Sequence, residues 1–139
     1  MSETSRAVPW ASGVAVRVGR VPWRRAETLR QRVARKRGQI AVSLAALEGR
    51  ATAARARGDE RSAAALAGAM AFQRERLRWI QEAEQATPAA RLAVLRQAEA
   101  GLSAAAVTAL RAGQTDALRG QLSDEQLARY ALWSYLVRG

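Results

Sequence analysis

Residues 33–84 read VARKRGQIAVSLAALEGRATAARARGDERSAAALAGAMAFQRERLRWIQEAE, and two interlocking periodicities in this stretch decide the fold. In its first half Val33, Arg37, Ile40, Leu44, Leu47, Ala51 and Ala54 recur at alternating spacings of four and three. In its second half Ala63, Leu66, Met70, Gln73, Leu77, Ile80 and Glu84 recur at spacings of three and four. Such spacings keep returning a side chain to one line along a helix, which makes each set the seam of a helix pair. Between the halves stands Gly58-Asp59, a glycine suited to a left-handed helix end followed by an aspartate suited to cap the next helix. Folding the chain there sets Ala54 against Ala63, Ala51 against Leu66, Leu47 against Met70, Leu44 against Gln73, Ile40 against Leu77, Arg37 against Ile80 and Val33 against Glu84. Each pair adds to 117. Every pair joins an a position to a d position, as an antiparallel coiled coil requires.

The seam predicts an all-α protein built on an antiparallel, coiled-coil-like helical hairpin, with helices over about 23–57 and 60–85. It tapers from alanine on alanine near the turn to the polar Arg37 and Glu84 at the open end, where the two either splay, neutralise one another or mark where other elements dock. Gly38 and Gly49 each cost the first helix about 0.5–1 kcal/mol relative to alanine.

Downstream, Thr87-Pro88 restarts the chain as N-cap and first helical residue. A third helix is expected over 88–111, with Leu92, Leu95, Leu102, Ala106 and Leu110 on one face, and a short helical turn over 116–119. Ser123 with Gln126 forms a capping box for a last helix over 124–138. Its Leu127, Tyr130, Leu132, Trp133, Tyr135, Leu136 and Val137 surround the axis. A helix that is apolar all round is buried or partnered, and its expected home is the wide end of the hairpin, against Phe72, Trp79 and the third helix. The alternative makes Tyr130, Trp133 and Tyr135 a partner interface.

Upstream, residues 1–22 do not read as helix. Val8-Pro9-Trp10 returns as Val21-Pro22-Trp23, and between them Val14, Val16 and Val18 alternate with Ala15 and Arg17, flanked by Gly13 and Gly19. This is a short strand pattern over 14–18 in an extended basic arm, and the remaining sequence offers it no second strand. Either it pairs with another subunit, with Trp10, Val14, Val16, Val18 and Trp23 as contacts, or it is a tail that contains valines.

The composition of the 139 residues narrows the chemistry. There is no cysteine and no histidine, which removes disulfides, thiolate and imidazole metal sites and the commonest general base. The glycines are scattered, without phosphate-cradling spacing. Asp59 and Asp124 stand at or next to helix starts and Asp116 near one; Glu82 and Glu84, two apart, lie on different helix faces. The chain is expected to be a non-enzyme without metal or cofactor. No run approaches the roughly 18–20 apolar residues of a membrane-spanning helix, and no signal peptide is recognisable, so a cytoplasmic protein is expected.

The net charge is +11 and arginine supplies 22 of the 23 basic residues. Residues 1–38 hold ten basic residues against Glu3 and Glu27, whereas the other 101 hold 13 against ten acidic ones. Base composition would enrich the whole chain, so the asymmetry is the signal. At 100° per residue Arg24, Arg25, Arg32, Arg35 and Lys36 fall within about 120° of one another. They form a basic ridge beside the apolar stripe Leu29, Val33 and Ile40, preceded by Arg17, Arg20 and two tryptophans. Such a segment suits a phosphate backbone, without any base-reading motif. The expected partner is nucleic acid, bound electrostatically. The competing readings are a solvated face or dock for an acidic protein, and a structural adaptor or homo-oligomer whose arm and aromatic helix engage neighbouring subunits. An anionic membrane surface fits less well, because the apolar stripe there is narrow.

Overall fold

The structure, a computed structural model, describes residues 26–139. It is all-α: five α-helices and one 3-10 turn, with no strand among the described residues. Helix α1 spans Leu29–Ala56 and α2 spans Glu60–Gln85, packed along their length as the antiparallel hairpin. The turn falls where the sequence places it. Gly58 adopts φ 73°, its N–H donates to the Arg55 carbonyl, and the Asp59 N–H donates to the Ala54 carbonyl at 2.9 Å. Together these two bonds satisfy orphan carbonyls of α1 in a Schellman motif. The Asp59 carboxylate then accepts from the Ser62 N–H at 3.1 Å and starts α2.

A Cβ built on Gly38, Gly49 or Gly58 meets no atom within 4 Å, so only backbone conformation decides the effect of alanine at each. Gly58→Ala is expected to cost about 1 kcal/mol, because a side chain is strained at positive φ. Gly38→Ala and Gly49→Ala, inside a continuous helix, should each stabilise by about 0.5–1 kcal/mol. Thermal melts of the three variants that shift in the same direction would contradict this assignment.

Two helix boundaries differ from expectation. Helix α1 begins at Leu29, not near 23; Trp23 lies outside the described residues, but Ala26–Thr28 are not helical. The reason is a capping box: the Gln31 N–H donates to Thr28 Oγ1 and the Thr28 N–H to Gln31 Oε1, at 3.2 and 2.8 Å, which ends the helix at its N-cap. The expected third helix is two, α3 over Pro88–Glu99 and α4 over Ala104–Arg111. Gly101, at φ 100°, turns the chain between them, and the Ser103 hydroxyl accepts from the Ala106 N–H to cap α4. The apolar periodicity ran across the break and concealed it. A 3-10 turn, Thr115–Leu118, buries Leu118.

Helix α5, Asp124–Arg138, carries the expected capping box between Ser123 and Gln126. It lies against α1, α2 and α3 at the wide end of the hairpin. Its Leu127, Tyr130, Leu132, Trp133 and Leu136 join Val33, Ile40, Trp79, Ile80, Leu95 and Leu118 in one core. Each large apolar side chain so buried contributes about 1.5–3 kcal/mol. Phe72 meets Trp79 edge-on, with ring centroids 6.0 Å apart, and stays partly exposed at the rim. Toward the turn the hairpin relies on its own seam, where Ala51, Ala54 and Ala63 are buried. At the open end Arg37 forms an ion pair with Glu84, so the two polar seam residues neutralise one another.

No helix among the described residues is long and apolar enough to cross a membrane.

Candidate functional site

The basic ridge is the candidate contact surface, and its described part, Arg32, Arg35 and Lys36, lies in the first two turns of α1. The capping box fixes where that helix starts, and Val33, 2% exposed, fixes its rotation by anchoring one face in the core. Arg32, Arg35 and Lys36 then project from the side nearest the C-terminal end of α5. Arg32 Nη1 donates to the Leu136 carbonyl at 3.1 Å. This carbonyl belongs to the last turn of α5, where backbone acceptors lack intrahelical donors and the helix dipole favours a cation. Lys36 Nζ stands 4.8 Å from the centroid of the Tyr135 ring, a cation–π contact. Arg35 pairs with Glu27, which precedes the N-cap of α1; the hydrogen bond and charge of Glu27 raise Arg35 further above its ordinary pKa.

The structure thus brings three ridge residues together with Tyr135, one of the expected partner contacts. It also corrects the ridge's direction. The ridge was expected to face outward, but Arg32 and Lys36 are half-buried and turned toward α5. The all-round apolar surface of α5 is broad enough to cover this side of α1. The charged ends of the two side chains meet α5 directly, Arg32 at the Leu136 carbonyl and Lys36 over the Tyr135 ring. Arg35 remains exposed. Two other expected interface residues, Tyr130 and Trp133, are 4% and 3% exposed and pack in the core of the chain itself. Arg17, Arg20, Arg24, Arg25, Trp10, Val14, Val16, Val18 and Trp23 lie outside the described residues.

A second polar cluster was not anticipated. Glu99, the last residue of α3, is 8% exposed. Its carboxylate accepts from Arg111 Nε and Nη2 at 3.0 and 2.8 Å, from the Tyr130 hydroxyl at 2.6 Å and from Arg138 Nη1 at 3.3 Å. Arg138 Nη1 also donates to the Tyr130 hydroxyl at 2.9 Å. The Arg111 hydrogen bond leads in holding the Glu99 carboxyl down to about 2; burial opposes it, and the Tyr130 and Arg138 bonds reinforce it. Burial, followed by the Glu99 hydrogen bond, raises the Tyr130 phenol. A carboxylate so firmly ionised, with three side chains on it, is a poor proton carrier near neutral pH. It works instead as a clamp joining α3, α4 and α5. Its partners stand 12, 31 and 39 residues away, and no local pattern in the sequence marks them.

Comparisons with family models, with curated proteins and with solved structures find no match to this chain.

Proposed function

We propose that this chain is a non-catalytic helical protein that binds nucleic acid through its basic N-terminal third. The observation that carries the reading is the concentration of ten basic residues against two acidic ones in residues 1–38, running into Arg32, Arg35 and Lys36 on a rigid helix. Arg32 and Lys36 have a carbonyl and an aromatic ring as partners, neither of which cancels their charge. The hairpin and α5 form the support, and the arm and the first two turns of α1 form the contact surface. With no base-reading motif in the sequence, affinity is electrostatic and insensitive to base sequence.

Binding of a labelled DNA duplex, or of RNA, should therefore weaken steeply between about 50 mM and about 200 mM salt, with a log–log slope near 0.9 per phosphate contacted. Replacing Arg24, Arg25 and Arg35 by glutamine should flatten that slope by about 2–3 and leave the helical circular dichroism intact. Arg32 is kept in this variant because it also caps α5. Absence of binding at the lower salt sinks the reading.

A second reading, a structural adaptor, has its own observation. An open groove of about 460 Å³ lies between α3 and α5, lined by Val94, Ala98, Leu122 and Trp133 among others, and Val94 is exposed. Purification at low salt separates the two readings, since the first expects nucleic acid to accompany the chain and the second a polypeptide.

A further inference from the structure

At the junction of α1 and α5 the three basic side chains have chemically different partners. Arg32 is bonded to a neutral carbonyl and Lys36 sits over a neutral ring. Among the described residues, Arg35 is the one of the three paired with a carboxylate, that of Glu27. The pair is not a product of helical spacing. Glu27 lies eight residues before Arg35 and outside the helix, on the far side of the N-cap Thr28. Helical side chains lean toward the N-terminus, so Arg35 reaches back along α1 to meet the carboxylate.

We propose that Glu27 is an internal stand-in for a nucleic-acid phosphate, holding Arg35 until a phosphodiester oxygen takes its place. The inference rests on the nucleic-acid reading above and names the residue at which backbone contact on the helical body is made. A carboxylate and a phosphodiester offer the same thing to a guanidinium, paired anionic oxygens able to accept two parallel N–H bonds. The pair is accessible, with the Arg35 and Glu27 side chains 54% and 37% exposed, and exposed ion pairs of this kind are weak. A polyanion can therefore displace the carboxylate directly from solvent, without unpacking α5. Once displaced, Glu27 is a negative charge beside the bound strand. The site is then restrained in both states: occupied by Glu27 when free, and opposed by it when bound.

The test is salt-dependent binding of a labelled DNA duplex to the full chain and to Glu27→Gln, with Glu48→Gln as control. Glu48 lies on the same helix as Arg35, about 20 Å from it at 1.5 Å per residue. Its replacement changes the net charge equally but acts from beyond the roughly 8–10 Å screening length. Glu27→Gln should tighten binding about three- to five-fold over Glu48→Gln and steepen the log–log salt slope by up to about one, because no displaced carboxylate then takes up a cation as the phosphate binds. In an Arg35→Gln background the gain should vanish. Equal behaviour of the two glutamine variants overturns the inference, leaving only net charge. Weaker binding by Glu27→Gln also overturns it, because Glu27 would then be positioning Arg35. If the wild-type chain fails to bind DNA or RNA at low salt, the nucleic-acid reading itself falls and the inference with it, an outcome distinct from the other two.

Discussion

Glu99→Ala is expected to destabilise the fold by about 3 kcal/mol, lowering the melting temperature by about 10 °C. The change leaves the buried Tyr130 hydroxyl without its acceptor, at about 1–3 kcal/mol, and releases Arg111 and Arg138 from the bonds that hold α4 and α5 to α3. Arg111 is half exposed and rehydrates, which keeps the total below that of an ion pair buried on both sides. The same group sets an acid limit. Its carboxyl titrates near 2 in the fold, against an ordinary 4.5, so the protonated form is disfavoured in the folded state. The stabilisation is fully present above pH 4.5 and is lost as pH falls toward and through 2, a linkage of about 3 kcal/mol. Glu99→Gln should remove this component of the acid dependence while largely keeping the side chain's shape. Urea midpoints measured from neutral pH down to about pH 2 for wild type and Glu99→Gln provide the check. Parallel pH profiles for the two proteins would show that the clamp is not formed.

Trp79→Ala should be more damaging still, at about 3–5 kcal/mol. Trp79 is 2% exposed and sits in the cluster through which α5 packs on the hairpin. Deleting the indole opens a cavity lined by core side chains that the surrounding helices cannot wholly collapse into. Against a typical total stability of about 5–15 kcal/mol, such a loss leaves a marginal protein. Loss of near-ultraviolet dichroism ahead of far-ultraviolet helicity is the expected sequel, because α1 and α2 retain their own alanine seam. An unfolding midpoint within error of wild type would show that Trp79 does not anchor α5.

How far the sequence carries can be judged residue by residue. The hairpin was legible because Gly58-Asp59 interrupts two heptad patterns that agree in phase, and because Gly and Asp at a turn act through the local backbone alone. The capping box of α5 was legible for the same reason. Thr28 and Gln31 form an equally local signal, but the helical pattern extending back toward Trp23 obscured it. Likewise Leu95 and Leu102 kept the helical period across Gly101, so only the glycine and Ser103 marked the break. What the sequence did not yield is tertiary. A helical wheel drawn for α1 alone turns Arg32 and Lys36 to solvent, because it does not contain α5. The four-residue cluster on Glu99 likewise depends on three helices meeting, and neither periodicity nor charge run announces it.

The hydrogen bond from Arg32 to the Leu136 carbonyl has a kinetic consequence. The two residues are 104 apart in sequence, so closing the contact carries the loop entropy of most of the chain, and contacts of such long range slow the step that forms them. During synthesis, which runs at about 5–20 residues per second, α1 and α2 can pair as soon as both have emerged. The junction of Arg32, Lys36 and Tyr135 has to wait until α5 has been made. A nascent chain can therefore carry Arg32 and Lys36 on a paired hairpin for several seconds before the α5 partners they meet in the mature fold exist. In that interval it is exposed to whatever polyanion is nearest.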